Sequence, residues 1–432
     1  MRKPTAPALV LASLLLAAAP AGAVNLAPPL SAVAQLGKKL FFDPALSGSG
    51  AMSCAFCHDP ANHFAPSNDL AVQLGGPGMN QPGIRATPSI AYKSLTPAFT
   101  MAPSNPVSEA DEATPMAISQ ISDVTKDSAT GASAQRLATK AAGPKKGDTS
   151  GALVARGGLF WDGRADTLEE QALGPLLSPF EMANKDRHSL YRTIRKGYSA
   201  EIAQLFGAPV LADETQTLDE AAFALARYQV EDRAFQPFSS KYDAYLAGKA
   251  QLSPAEARGL KLFDDPKKGN CAACHLDTPS RDGHPPLFTD FEFEALGVPR
   301  NPALPANADA AFFDLGLCGP LRHDSFASQA ANCGLFKTPT LRNVATRHVF
   351  FHNGVYTKLT DAIRFYVLRD TQPNKIYPTG HAFDDLPARY RGNIDRVDAP
   401  LDRHLGDKPA LNEVEIADVA AFLQPLTDGY TR

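Results

Sequence analysis

Cys54-Ala55-Phe56-Cys57-His58 and Cys271-Ala272-Ala273-Cys274-His275 decide how this 432-residue chain folds. Each is a C-x-x-C-H motif, and the spacing has a mechanical reason. Two thiols three residues apart can add to the two vinyl groups of one haem, and the His that follows then meets the iron from the proximal side. Cys54, Cys57 and His58 are therefore expected to hold one c-type haem, and Cys271, Cys274 and His275 a second. Two C-x-x-C pairs could also build a zinc ribbon or redox-active dithiols. Those readings leave the His after both pairs as coincidence.

The sequence just outside the motifs repeats as well. Gly37-Lys38-Lys39-Leu40-Phe41-Phe42-Asp43-Pro44 leads into the first, and Gly259-Leu260-Lys261-Leu262-Phe263-Asp264-Asp265-Pro266 into the second. Ser31 and Ser253 each lie six residues before the Gly. This predicts an internal duplication into two cytochrome c-like haem domains, residues 24–245 and 246–432. In the second copy Ser253 is placed to cap a helix, Pro254 suits its first position and Glu256 closes a capping box. Asn412 to Pro425 reads as a final helix with Val414, Val419, Phe422 and Leu423 on one face. Helices, long loops, 36 Pro and no clear strand alternation give a loop-rich, all-α class. Lys126 to Gly151, rich in Ala, Ser, Thr, Gly and Lys, reads as a loop or insertion.

Composition narrows the setting. A chain 44% apolar and 432 residues long can bury more than one core. A net charge of -4 gives no sign of a nucleic-acid partner or an anionic membrane surface. Arg2 and Lys3, an apolar run from about Ala8 to Ala19, and Ala21-Gly22-Ala23 read as a signal peptide over residues 1–23. The run is too short to span a bilayer, and no later stretch is apolar enough. Export to a bacterial periplasm is expected, where disulfides persist, and Cys318 and Cys333 are read as one.

The sixth iron ligand separates catalysis from electron transfer. The methionines are Met1, Met52, Met79, Met101, Met116 and Met182, so none follows the second haem motif. Tyr or His is therefore the expected sixth ligand of the second haem, unless a Met is borrowed from the other domain.

Three further segments carry a resemblance. They are Phe160-Trp161-Asp162-Gly163-Arg164, then Leu168-Glu169-Glu170-Gln171-Ala172 with Pro179-Phe180-Glu181-Met182, and Lys337-Thr338-Pro339-Thr340-Leu341-Arg342-Asn343-Val344 leading to Phe351-His352-Asn353-Gly354. With both haem motifs, they resemble the bacterial di-haem cytochrome c peroxidase and MauG superfamily over nearly the whole chain after residue 23. The resemblance implies that the His58 haem is the peroxide site, with Gln171 and Glu181 on its distal side. A buried carboxylate there can move a proton between the peroxide oxygens. Pro175 and Pro179 suggest that both side chains come from a loop. Trp161, the single Trp, matches a residue between the two haems that relays electrons or holes. Tyr366 stands where ordinary peroxidases of the family place a Met and MauG a Tyr. It is the expected iron ligand opposite His275, with Tyr356 as a rival.

Departures from the family pattern matter too. Only His63 follows the first motif closely, and it is too near His58 to reach the opposite haem face, so the first haem is expected to be open. Ala86 stands where the family offers an Asn to calcium, which puts calcium in doubt. The C-terminal part is similar to a MauG-like branch that includes the methanobactin-associated di-haem enzyme MbnH. The reading that follows is an exported di-haem oxidase. Hydrogen peroxide forms high-valent iron, and a side chain on a periplasmic partner protein, Trp first among them, is oxidised at a distance. The alternatives are a peroxide-detoxifying peroxidase and a non-catalytic electron-transfer cytochrome. The missing C-terminal Met opposes the first, and Gln171 with Glu181 opposes the second.

Overall fold

The computed structural model describes residues 28–103, 153–280 and 283–431. The signal peptide read over residues 1–23 and the loop read over Lys126–Gly151 lie outside them. Nine α-helices account for most of the regular structure among the described residues: α1 (Ala32–Phe42), α2 (Cys54–Cys57), α3 (Leu168–Leu177), α4 (Arg187–Phe206), α5 (Glu214–Glu231), α6 (Lys241–Leu246), α7 (Pro254–Asp264), α8 (Leu359–Leu368) and α9 (Glu413–Leu423). Three two-stranded antiparallel ladders accompany them, which a purely all-α reading left out. They are β1 (Leu74–Gly75) with β2 (Gln81–Pro82), β3 (Thr100–Pro103) with β4 (Leu153–Arg156), and β5 (Phe293–Glu294) with β6 (Phe336–Lys337). None exceeds four residues a strand, which is why no alternation was visible.

The helix leading into each haem motif is built the same way. Ser31 caps α1, its hydroxyl accepting from the Ala34 N–H at 3.1 Å. Ser253 caps α7 in the expected capping box with Glu256, and Pro254 opens the helix. Helix α1 then crosses α5, and α7 crosses α9, each at a glycine. A Cβ on Gly37 would lie 1.8 Å from the Ala224 carbonyl oxygen, and one on Gly259 1.9 Å from that of Asp418. The repeated Gly is thus required by close approach of two helix backbones.

These crossings bring the Leu-Phe ends of α1 and α7 into two separate cores. Leu40, Phe41, Phe64, Tyr228 and Phe235 belong to the first, and Tyr242, Phe263, Phe288, Phe365 and Phe422 to the second. Each buried aromatic side chain removes apolar surface worth about 1.5–3 kcal/mol from water. Helix α9 starts on Asn412, whose side chain accepts from Val414 and Glu415, as the sequence suggests. Cys318 and Cys333 form a disulfide.

Polar contacts join the halves. The Tyr92 hydroxyl donates across to Asp428 at 2.8 Å, a carboxylate that the Asn343 side-chain amide steadies from within the C-terminal half. Arg85 makes a two-pronged pair with Asp314, at 2.7 and 2.8 Å.

Candidate active site

Each C-x-x-C-H motif lines its own cavity, so the two cysteine pairs do not converge as a zinc ribbon would require. Helix α2 ends at His58, whose N–H donates to the Cys54 carbonyl at 3.0 Å. The His58 Nδ1 lies 3.2 Å from the Phe64 carbonyl oxygen. In the second unit the His275 Nδ1 lies 3.0 Å from the Phe288 carbonyl oxygen. A carbonyl partner selects the Nδ1–H tautomer and leaves Nε2 free for a metal. Burial pushes both imidazoles down to about 4, so they stay neutral, as ligation requires.

Gln171, Glu181 and Trp161 all line the cavity of His58, with Arg164 beside them. One expectation needs correcting. Gln171 does not come from a loop, because α3 runs through Pro175 and ends at Leu177. Pro175 has no N–H to offer the Gln171 carbonyl, so the ladder loses that bond, yet the helix continues to Leu177. Thr167 caps the start, accepting from the Glu170 N–H, and fixes Gln171 in the first turns. Glu181 does lie beyond the helix, in the turn that follows.

That turn is clamped by three glycines, Gly48, Gly75 and Gly76. The Gly76 N–H donates to the Glu181 carbonyl at 2.9 Å, and the Gly48 N–H to the Met182 carbonyl at 2.6 Å. A Cβ on Gly75 would lie 2.5 Å from the Phe180 carbonyl oxygen, and one on Gly48 2.1 Å from that of Ala183. Burial raises the Glu181 carboxyl above its ordinary range, while Ser178 and Arg164 pull it back. His58 is the only His lining this cavity among the described residues. The His63 ring takes no part in it.

Trp161 lines both cavities. Its indole N–H donates to the Ala86 carbonyl at 2.8 Å, and its own carbonyl accepts from the Lys337 N–H at 2.9 Å. The Ala86 N–H in turn donates to the His352 carbonyl at 2.7 Å. Asp162, fully buried, pairs with Arg85 at 2.7 Å and Arg164 at 2.8 Å, and its carbonyl accepts from Arg322. The guanidinium groups hold the Asp162 carboxyl below the usual range against its burial. Arg85 and Arg322 lie far from Trp161 in sequence, so no local pattern could reveal them.

In the second cavity α8 presents one face. Leu359, Ala362, Ile363 and Tyr366 follow helical spacing and line it together with Cys271, Cys274 and His275. Tyr366 therefore shares a cavity with His275. Tyr356 does not line it, and its hydroxyl is buried elsewhere without a hydrogen-bond partner. No Met is among the lining residues described. Burial raises the Tyr366 phenol, which keeps it protonated when no metal is near.

Both cavities fit a haem by their charge. Lys93 lines both, and burial together with Arg347 pushes its ammonium down to about 8. No carboxylate pairs with it among the described residues. Buried Lys337 lines the second cavity and donates to the Gly158 carbonyl, and burial and Lys93 push it well down although Asp162 opposes them. Buried cations without anions are costly. Haem propionates would supply the missing charge.

Comparison with known proteins agrees with this geometry. Residues 31–251 match the family described as di-haem cytochrome c peroxidase. The chain is 35% identical over 413 residues to the methylamine utilization protein MauG of Paracoccus denitrificans, covering 93% of this chain and 90% of that one. The crystal structure of the di-haem peroxidase BthA from Burkholderia thailandensis superposes with a TM-score of 0.76 at 37% identity, over 93% of this chain and 87% of that one. A MauG-like protein associated with microbial copper homeostasis shares the fold, with a TM-score of 0.55 at 23% identity, over 93% of this chain and 91% of that one. Two histidines in separate cavities, a carboxylate and an amide lining one of those cavities and a Trp lining both thus coincide with a match along almost the whole length, and the chain belongs to the di-haem cytochrome c peroxidase and MauG family of peroxide-dependent oxidoreductases.

Proposed function

We propose that this protein is an exported, MauG-like oxidase that uses hydrogen peroxide to oxidise a side chain, Trp first among them, on a periplasmic partner protein. Two covalently attached c-type haems, at Cys54/Cys57/His58 and Cys271/Cys274/His275, belong to this reading. So does an origin of residues 24–245 and 246–432 by duplication. The paired glycine crossings and the paired His-to-carbonyl bonds support that origin.

A haem at His58 supplies the two-electron reduction of peroxide. The chain supplies the rest. Glu181 takes the proton from the inner peroxide oxygen and delivers it to the outer one, so that water leaves. Gln171 orients the peroxide with its side-chain amide. Trp161 offers an oxidisable ring between the two sites, fixed by its bond to Ala86. Tyr366 shares the cavity of His275 and would offer a haem there a phenol oxygen, a ligand type that favours oxidised iron.

The observation that carries this reading is the division of labour between cavities. Gln171 and Glu181 line one, and Tyr366 without any Met lines the other. The test is an optical titration of the fully oxidised holoprotein with hydrogen peroxide, extended into the near infrared. Both haems should be oxidised together without prior reduction, with a charge-resonance band. A reaction only after one haem is reduced would instead establish the peroxide-detoxifying peroxidase.

A further inference from the structure

The two haem units share an aromatic cage, but the cages end differently at the surface. In the first, the Phe64 carbonyl bonds His58, the Phe64 ring stacks on Phe235 at 3.8 Å, and Phe41 and Tyr228 complete the cage. The ring that reaches solvent there is Phe42, 44% exposed. In the second, the Phe288 carbonyl bonds His275, and the Phe288 ring meets Tyr242 edge-on at 5.4 Å. Tyr242 is 3% exposed and lies 5.8 Å from Tyr245, which is 37% exposed. Phenylalanine resists one-electron oxidation, whereas a phenol gives up an electron once its proton has an acceptor. Only the second cage therefore ends on an oxidisable residue at the surface. The chain's single Trp lines both cavities and is committed between them.

We propose that Tyr242 and Tyr245 form the exit by which oxidising equivalents leave the second haem site for an electron-rich aromatic side chain of a protein docked over Tyr245. This rests on the oxidase reading given above. The geometry is fixed. Helix α6 carries both tyrosines, Ser240 and Asp243 form a capping box at its start, and buried Arg342 grips Asp243 with two bonds, of 3.0 and 2.8 Å.

The step balances as follows. Tyr245 gives one electron, by way of the Tyr242 ring, to the oxidised second site and releases its phenolic proton to water. The docked side chain returns one electron and one proton to Tyr245. Two rounds use the two equivalents that one peroxide supplies.

The test uses holoprotein with one equivalent of hydrogen peroxide and no partner. The variants Y242F and Y245F should reach the same oxidised state at the same rate as the unaltered protein. That state should then decay several-fold more slowly in both. A nitroso spin trap followed by peptide mapping should label Tyr245 in the unaltered protein. The label should vanish in Y242F, although Tyr245 is still present and exposed, which mere surface accessibility cannot explain. A normal oxidised state whose decay and labelling ignore Y242F would overturn the exit alone. Failure of the unaltered protein to form any oxidised state would overturn the oxidase reading and the exit with it.

Discussion

In the oxidase reading proposed above, Glu181 is the residue on which the chemistry of the first cavity turns. Burial lifts its carboxyl above the ordinary range. To take a proton from bound peroxide it must first be ionised, so the rate should rise with pH through that raised value and then level off. Glu181→Gln should slow the reaction with peroxide by about 10²–10⁴-fold and flatten the profile, read by stopped-flow spectroscopy. The second cavity gives a matching prediction. Tyr366→Met should leave peroxide binding at the first site intact but abolish the near-infrared band, because a thioether does not favour oxidised iron as a phenolate does. That Glu181 lines one cavity and Tyr366 the other was legible in the sequence, since each sits in a short contiguous motif. What was not legible is what holds them. Gly48 and Gly75 clamp the Glu181 turn through backbone contacts, and a glycine's letter does not say which carbonyl it lies against.

Helices show the same division between local and non-local information. The starts of α7 and α9 were readable because Ser253 with Glu256 and Asn412 with Glu415 form capping boxes within four residues. Pro175 is a strong local breaker signal, yet α3 runs through it to Leu177, because one lost ladder bond does not outweigh the packing of the helix. The repeated glycine was noticed, but its purpose lies in another helix. Gly37→Ala or Gly259→Ala would drive a methyl group into the facing helix backbone. Each should cost roughly 3 kcal/mol of unfolding free energy in denaturant titrations of the holoprotein, the upper part of the range for overpacking. Gly197 in α4 is the contrast, since a Cβ there meets nothing within 4 Å. Gly197→Ala should stabilise by about 0.5–1 kcal/mol, because it only restricts the unfolded chain. Equal effects at all three positions would show that helix propensity, not close crossing, sets the glycine requirement.

At the scale of the molecule, the two units must keep a fixed relation if equivalents are to pass through Trp161. A buried ionic cluster does this. Arg85 bonds Asp162 at one end and Asp314 at the other, joining the residue next to Trp161 to the C-terminal half. Arg85 and Asp314 are each 7% exposed in their side chains and Asp162 0%, so removing the guanidinium leaves two carboxylates buried without their main partner. Arg85→Met should therefore cost about 3–5 kcal/mol, far more than an exposed pair would. The pH dependence has a definite sign. The Asp162 carboxyl is held below its unfolded value. Its contribution is thus fully present above the unfolded carboxylate pKa and is lost as pH falls through the folded one. Unfolding midpoints of the unaltered protein should drop on acidification below about pH 4, while those of Arg85→Met, already lower, should drop less. The same variant should weaken the near-infrared band without slowing the first reaction with peroxide, because it loosens Trp161 and leaves Gln171 and Glu181 in place. A variant as stable as the original, or one whose band is unchanged, would mean that the halves are held together by the Tyr92–Asp428 bond instead.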